Sequence, residues 1–359
     1  MRVLAIGSDK SIAVPDSASA KRQVAYGMRF GDLRIIIFSL VSQKLVTYAL
    51  SVETHAYPTA SSWRGLYGWN AFWIALKLPK SDVVTVQDPF ETGLIGWIIA
   101  RVHRAGFHVQ VHTDFLSPHF KKHSLLNRVR TLLASFVLRR ADRIRVVSRS
   151  IKESIEREYA LKAPITVLPI FVDVERFKSA GFDSIAGRFS KFETKLLVVA
   201  RLEPEKNVAL AIKAFASAPE SACLIILDEG SEKKELEQLV TDLKLSDRVF
   251  FEGKQDPAPY YALADLILVP SHFEGYGLVI VEALAAGKPV LATDVGIARE
   301  AGAIITSPEN FSDALVDWIK DGTRVGQLRS YPYMSFEEYI DAYCNDIASA
   351  QKSQALPSA

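Results

Sequence analysis

At 359 residues, 49% hydrophobic and 23% charged, the chain is too long for one ordinary core and too apolar for general disorder, so two domains are expected. Its two cysteines, Cys223 and Cys344, stand far apart and outside any metal-type cluster, which argues against a disulfide framework and suits a reduced, cytoplasmic setting. The net charge of +2 divides into +10 over residues 1–175 and −8 over the rest, so the first half suits an anionic partner, and nothing in the pattern points to nucleic acid.

The opening MRVLAIGSDK turns polar after a run of strand length, the pattern of a first strand rather than of a secretion signal. Apolar, β-branched runs follow at Ile35–Phe38, Val83–Val86, Phe107–Val111, Ile144–Val147 and Ile165–Leu168, most of them separated by helical periodicity. GLIGWIIA, Gly93–Ala100, stops at Arg101 and falls far short of the ~20 residues a membrane span takes. Of seven histidines five lie between His103 and His123, and VHTDF sets His112 and Asp114 at a strand end. His103, His108, His119 and His123 lack metal-ligand spacing.

The stretch Leu125 to Ile144 carries Leu125, Val129, Leu132, Leu133, Phe136 and Val137 at helical spacing, with Arg128, Arg130, Arg139, Arg140 and Arg143 among them and Lys121 and Lys122 just ahead. Such a helix either packs on the sheet with a solvated charged face or lies on an anionic membrane. Trp63, Tyr67, Trp69, Phe72 and Trp73 form a cluster that suits a lipid-bearing partner as well as a core.

The second half repeats the rhythm at Leu196–Val199, Leu224–Leu227, Val249–Phe251, Leu266–Val269, Val290–Ala292 and Ala303–Ile305. Runs apolar on both faces imply parallel sheets covered by helices, hence an α/β protein of two doubly wound, Rossmann-like domains, residues 1–170 and 171–334. After the strand LLVVA, RLEPEKN places Arg201 and Lys206 in a turn beyond a carboxyl end, where a doubly wound sheet binds its ligand. Further on, SHFEGYGLVIVEALAAGKP holds Glu274 and Glu282 eight residues apart, with Gly275 and Gly277 opening the backbone at the start of an apolar helix. A helix start with free N–H groups favours an anion, and carboxylates pair with vicinal hydroxyls, so this stretch reads as a site for a ligand with both.

The ordered set R-L-x-x-E-K-N, A-D-x-x-x-x-P-S and E-G-x-G-L-x-x-x-E-A-x-A-x-G-x-P-V-x-A-T, over about Leu196 to Gly296, resembles the retaining GT-B-fold glycosyltransferases, the large family of glycogen synthase and the bacterial phosphatidylinositol mannosyltransferases. The resemblance implies two domains facing across a cleft, the first binding the acceptor and the second a nucleoside-diphosphate sugar. It assigns Arg201 and Lys206 to the diphosphate and Glu274 to the sugar hydroxyls. The backbone of Gly275, Tyr276, Gly277 and Leu278 falls to sugar and phosphate, and Glu282 to the ribose. From the first domain it implies His112 on the transferred sugar, with Gly7 near the phosphates and Asp114 either at the acceptor or capping a turn.

Three departures bear on the acceptor. GSDKSIAVPDSASAKRQVAYG replaces the Gly-Gly loop many relatives have after the first strand, leaving Gly7 and Ser8 in its place and Lys10, Lys21 or Arg22 for an anionic acceptor. Pro169 is followed by Ile170 rather than Asn, and Gly296 by no second glycine. The tail SFEEYIDAYCNDIASA reads as a capped amphipathic helix, 335–350, which in the family packs back on the first domain.

The expectation is therefore a retaining, metal-independent and cofactor-free transferase that moves a sugar from a nucleotide-sugar donor to a glycan or lipid-linked acceptor in polysaccharide or glycolipid biosynthesis. It would be cytoplasmic, or peripheral at the inner face of the cell membrane. A nonhydrolysing nucleotide-sugar epimerase and a non-catalytic sugar-nucleotide-binding protein are the alternatives.

Overall fold

Fourteen short strands, nearly all of them apolar runs, build two sheets in a computed structural model that describes residues 1–352, save the side chains of His119 and His123. Those two members of the histidine set considered above therefore lie outside the described residues. The chain divides into one unit of Met1–Pro169 continued from Tyr333, and another of Ile170–Pro332.

In the first unit the strands are β1 (Arg2–Gly7), β2 (Asp32–Ile37), β3 (Tyr48–Ala49), β4 (Thr54–Pro58), β5 (Val83–Val86), β6 (Gly106–Val111), β7 (Arg143–Val146) and β8 (Ile165–Val167). Their order across the sheet is β3-β4-β2-β1-β5-β6-β7-β8, and every pair is parallel except β3 with β4. Every residue of β5 and β6 is buried, as strands covered on both faces must be. The direction of winding reverses between β1 and β5, which opens a crevice at their carboxyl ends. The hairpin-like pair β3 and β4 was absent from the sequence expectation, because THAYP alternates in burial and ends on proline instead of forming an apolar run.

The second unit holds β9 (Thr194–Val199), β10 (Ala222–Leu227), β11 (Val249–Gly253), β12 (Leu266–Val269), β13 (Val290–Ala292) and β14 (Ile304–Ile305). All are parallel, in the order β11-β10-β9-β12-β13-β14, so the reversal falls between β9 and β12. Leu196, Val198, Phe215, Ile226, Leu268 and Trp318 lie in one continuous apolar core that binds the helices to the sheet.

The last helix, Phe336–Ala348, starts at Ser335, whose side chain accepts the Glu338 N–H, and buries Tyr339, Ile340 and Tyr343 in the first unit. Tyr343 stacks on Tyr26 at 4.3 Å between ring centroids. The basic helix spans Leu125–Leu138, and of its two possible placements Leu125, Val129 and Leu132 do not take the one packed on the sheet: they are 76%, 59% and 74% exposed. Its buried side is instead Asn127, Ala134, Val137 and Leu138.

Candidate active site

In the second unit the loops that follow β9 and β12, the two strands flanking the reversal, bring together the charges that the sequence placed 68 residues apart. Lys206 Nζ donates to Glu274 Oε1 at 2.6 Å, and Ser271 Oγ donates to the same oxygen at 2.9 Å. Both charged side chains are mostly but not wholly covered, 17% and 16% exposed, so the pair is held without being sealed from a ligand. Its frame is local: Asn207 takes a left-handed backbone with φ +50 and ties its side chain to Pro270 O at 3.2 Å, while Thr293 Oγ1 donates to Ser271 O at 2.6 Å. Arg201 is more exposed than Lys206 and pairs with Glu205 at 2.8 Å.

Glycine is required at two points around the Lys206–Glu274 pair, one after β12 and one after β13. Gly277 has φ +95 where the helix Leu278–Ala285 begins, a conformation that L side chains rarely adopt. Gly296 has φ +54, and a Cβ on it would lie 2.3 Å from Tyr276 O, the oxygen that accepts the Ile297 N–H at 3.0 Å. The Tyr276 side chain is buried, so this residue meets a ligand through its backbone if at all; Gly275 and Leu278 flank it at the mouth of the helix. Glu282 sits within that helix and accepts the Tyr261 hydroxyl at 2.8 Å, and burial pushes its carboxyl above the usual range. Tyr261, 21 residues upstream and fully buried, carried no sequence signal as a site residue.

In the first unit, a cavity of about 320 Å³ at the carboxyl ends of the strands is lined by Ser8, Gln87, Asp88 and His112. Gly7 ends β1 where a Cβ would fall 2.1 Å from Gln87 Oε1, the atom that accepts the Ser8 N–H at 3.1 Å, so a side chain there would displace the Gln87 amide from Ser8. Asp114 bonds its own turn through the N–H groups of Leu116 and Ser117, which makes it a cap.

His112 belongs to a buried polar network that runs beneath the sheet. Arg145 Nη1 donates to Gln110 Oε1 at 2.8 Å, and Gln110 Nε2 donates to Thr85 Oγ1 at 3.1 Å and to the Tyr343 hydroxyl at 2.9 Å. Because guanidinium has no acceptor, the Gln110 oxygen must face it. That same oxygen lies 3.2 Å from His112 Nε2, so this nitrogen carries the ring proton and Nδ1 is left as an acceptor. Burial, then the nearby charges of Arg145 and Arg22, push the His112 pKa down to about 3, keeping the ring neutral at ordinary pH. The network continues from Thr85 to His108 at 2.8 Å and from His108 to Asp346 of the last helix at 3.0 Å, with Arg143 closing on Asp346 at 2.5 Å.

Two family models match the chain, "Glycosyl transferases group 1" over residues 184–331 and "Glycosyltransferase Family 4" over residues 35–176. The chain belongs to the group 1 glycosyltransferases. It is 27% identical over 246 residues to the alpha-monoglucosyldiacylglycerol synthase of Streptococcus pneumoniae, a match covering 63% of this chain and 55% of that one. The chain spans about half the length of the curated relatives it matches. In fold it is similar to Anabaena Alr3699/HepE in complex with UDP and glucose, with TM-score 0.73, 18% identity, and coverage of 97% of this chain and 95% of the other. Sucrose-phosphate synthase from Thermosynechococcus elongatus aligns with TM-score 0.75 and 19% identity over 98% and 96%. The fold of this group 1 member is therefore GT-B, and the Lys206–Glu274 pair lies inside the region that the group 1 model matches.

Proposed function

We propose that the protein transfers a sugar from a nucleoside-diphosphate sugar to an acceptor hydroxyl, with retention at the anomeric carbon, and that the acceptor is a glycan or lipid-linked glycan. The observation that carries this reading is the Lys206–Glu274 pair at the winding reversal, a cation and a carboxylate 2.6 Å apart in the position where a doubly wound sheet binds nucleotides. Glu274 accepts hydrogen bonds from sugar hydroxyls, and Lys206, joined by Arg201 and by the N–H groups of Gly275 to Leu278, meets the diphosphate. Glu282 and its Tyr261 partner take the ribose. His112, through Nδ1, accepts a hydroxyl of the transferred sugar. Charge that develops on the departing phosphate is met by these cations and dipoles, so the chemistry calls for neither a metal nor a resident cofactor. The solved neighbours bound to UDP with glucose and to UDP-glucose support a nucleotide-sugar donor.

The protein is proposed to work in the cytoplasm at the inner face of the cell membrane. Leu125, Val129 and Leu132 present exposed aliphatic surface on the same helix as the exposed Arg128, with the exposed Arg139 just past its end, a combination that favours an anionic bilayer over bulk water. No helix among the described residues is long and apolar enough to cross one.

Incubation with a panel of labelled nucleotide sugars, with and without membrane lipid extract, tests the reading. Acceptor-dependent release of nucleoside diphosphate with a labelled glycoside is expected. An altered donor formed without acceptor would instead identify an epimerase, and binding without turnover a sugar-nucleotide-binding protein.

A further inference from the structure

A cavity of about 600 Å³ in the first unit is lined by two chemically distinct sets of side chains. One is apolar: Phe38, Ile95, Ile98 and Leu133, contributed by the end of β2, the helix Glu91–His103 and the basic helix. The other is cationic, with Lys10 and Arg64 exposed at its edge and entering no ion pair among the described residues. The third cation, Arg130, is already neutralised by Glu91 at 2.9 Å. Ser8 and Asp88 line this cavity and also the one that holds His112, so the two spaces adjoin.

Gly68 points to the cavity having a use. It is the second residue of the helix Tyr67–Lys77, a place where glycine adds nothing to helix formation. Its φ is not positive, and a Cβ there would meet nothing nearer than Ile95 at 3.9 Å, an ordinary contact. Neither backbone geometry nor close packing requires glycine at this position; what its missing side chain leaves is room in the cavity wall.

We propose that this cavity is the acceptor site and that the acceptor is an anionic amphiphile, its apolar chain between Ile95, Ile98 and Leu133 and its phosphate-type group at Lys10 and Arg64. The polar head then extends past Ser8 and Asp88 toward His112. Identifying the ligand as an acceptor rests on the transferase reading above, whereas the binding itself does not.

The test uses the full chain with no donor present, so failure to bind is separable from failure to turn over. Calorimetry compares inorganic phosphate, butyl phosphate, octyl phosphate and the neutral octyl glucoside, each below its micellar concentration. Octyl phosphate is expected to bind more than tenfold tighter than butyl phosphate, since each methylene buried in an apolar wall adds to affinity. It should exceed octyl glucoside by about tenfold through the charge-assisted contacts. Gly68→Leu, which fills the cavity while suiting the helix, should erase the gain from chain length and keep the melting temperature. Ile98→Gln, at a half-exposed wall position, should reduce the same gain. Lys10→Ser with Arg64→Ser should bring octyl phosphate down to octyl glucoside. The proposal is overturned by equal binding of butyl and octyl phosphate, by a chain-length gain that survives both cavity variants, or by phosphate preference that survives loss of both cations.

Discussion

Lys206 Nζ lies 2.6 Å from Glu274 Oε1, and the Ser271 hydroxyl donates to that same oxygen. One carboxylate oxygen thus takes both donors, and Glu274 Oε2 is the oxygen that the proposed sugar contact would use.

Glu274→Gln keeps the shape and removes the charge. We expect turnover to fall by about 10²-fold or more, with the fold intact by circular dichroism. Lys206→Ala should lower turnover by a similar factor and leave Glu274 without its cation. Wild-type rates in either variant would remove the pair from the chemistry.

Tyr261→Phe takes away the hydroxyl that donates to Glu282 at 2.8 Å. A hydrogen bond to a charged group is worth about 1.5–3 kcal/mol, so nucleoside-diphosphate affinity should weaken about tenfold or more if Glu282 is oriented for the ribose by this bond. Titration calorimetry reads the change. Unaltered affinity would show that Glu282 holds its position without Tyr261.

His112 makes the stability of the first unit depend on pH. Its folded pKa, about 3, lies below the ordinary histidine value, so below pH ~6.5 the unfolded chain binds a proton that the folded chain refuses. The contribution is whole above pH ~6.5 and is lost as pH falls toward the folded value, with a slope of at most ~1.4 kcal/mol per unit. Thermal unfolding at pH 7 and pH 5 should show a larger loss in the wild type than in His112→Asn. Equal losses would contradict a neutral buried ring.

Asp346→Ala removes the carboxylate that bonds His108 at 3.0 Å and Arg143 at 2.5 Å from the last helix. Breaking a buried charged contact from one side costs about 3 kcal/mol or more, and the helix Phe336–Ala348 should lose its protection in hydrogen exchange. A change under ~1 kcal/mol would mean that the tyrosine stack alone retains the helix.

Val129→Gln with Leu132→Gln should leave thermal stability within ~0.5 kcal/mol, because both side chains face outward. Sedimentation with vesicles containing anionic lipid should fall several-fold. Binding equal to wild type would exclude this helix face as the membrane contact.

How much could be read in advance differs from residue to residue. Arg201, Lys206 and Glu274 stand in turns after apolar runs, a local pattern, whereas Glu282, inside its helix, stood out by its spacing from Glu274. Tyr261 bears on Glu282 from 21 residues upstream, in a stretch that carried no sequence signal for a site. Gln110 and Arg145 sit in strands buried on both faces, where an occasional polar residue carries no periodic signal. The helical spacing of Leu125, Val129 and Leu132 fitted either a sheet or a membrane surface; the helix formed and turned Asn127 and Ala134 inward.

By itself the sequence determined two largely parallel, doubly wound sheets and the composition of the loop Ser271–Pro289, because strand runs, turn glycines and helix starts are local and each is written within about a dozen residues. Only the tertiary structure decided the rest. The proton on His112 Nε2 depends on Arg145 by way of Gln110, and the same network reaches Asp346, 238 residues beyond His108. Hydrogen-bond direction inside a core is set by which donors and acceptors the folded chain brings within ~3 Å, a relation that no spacing along the chain encodes.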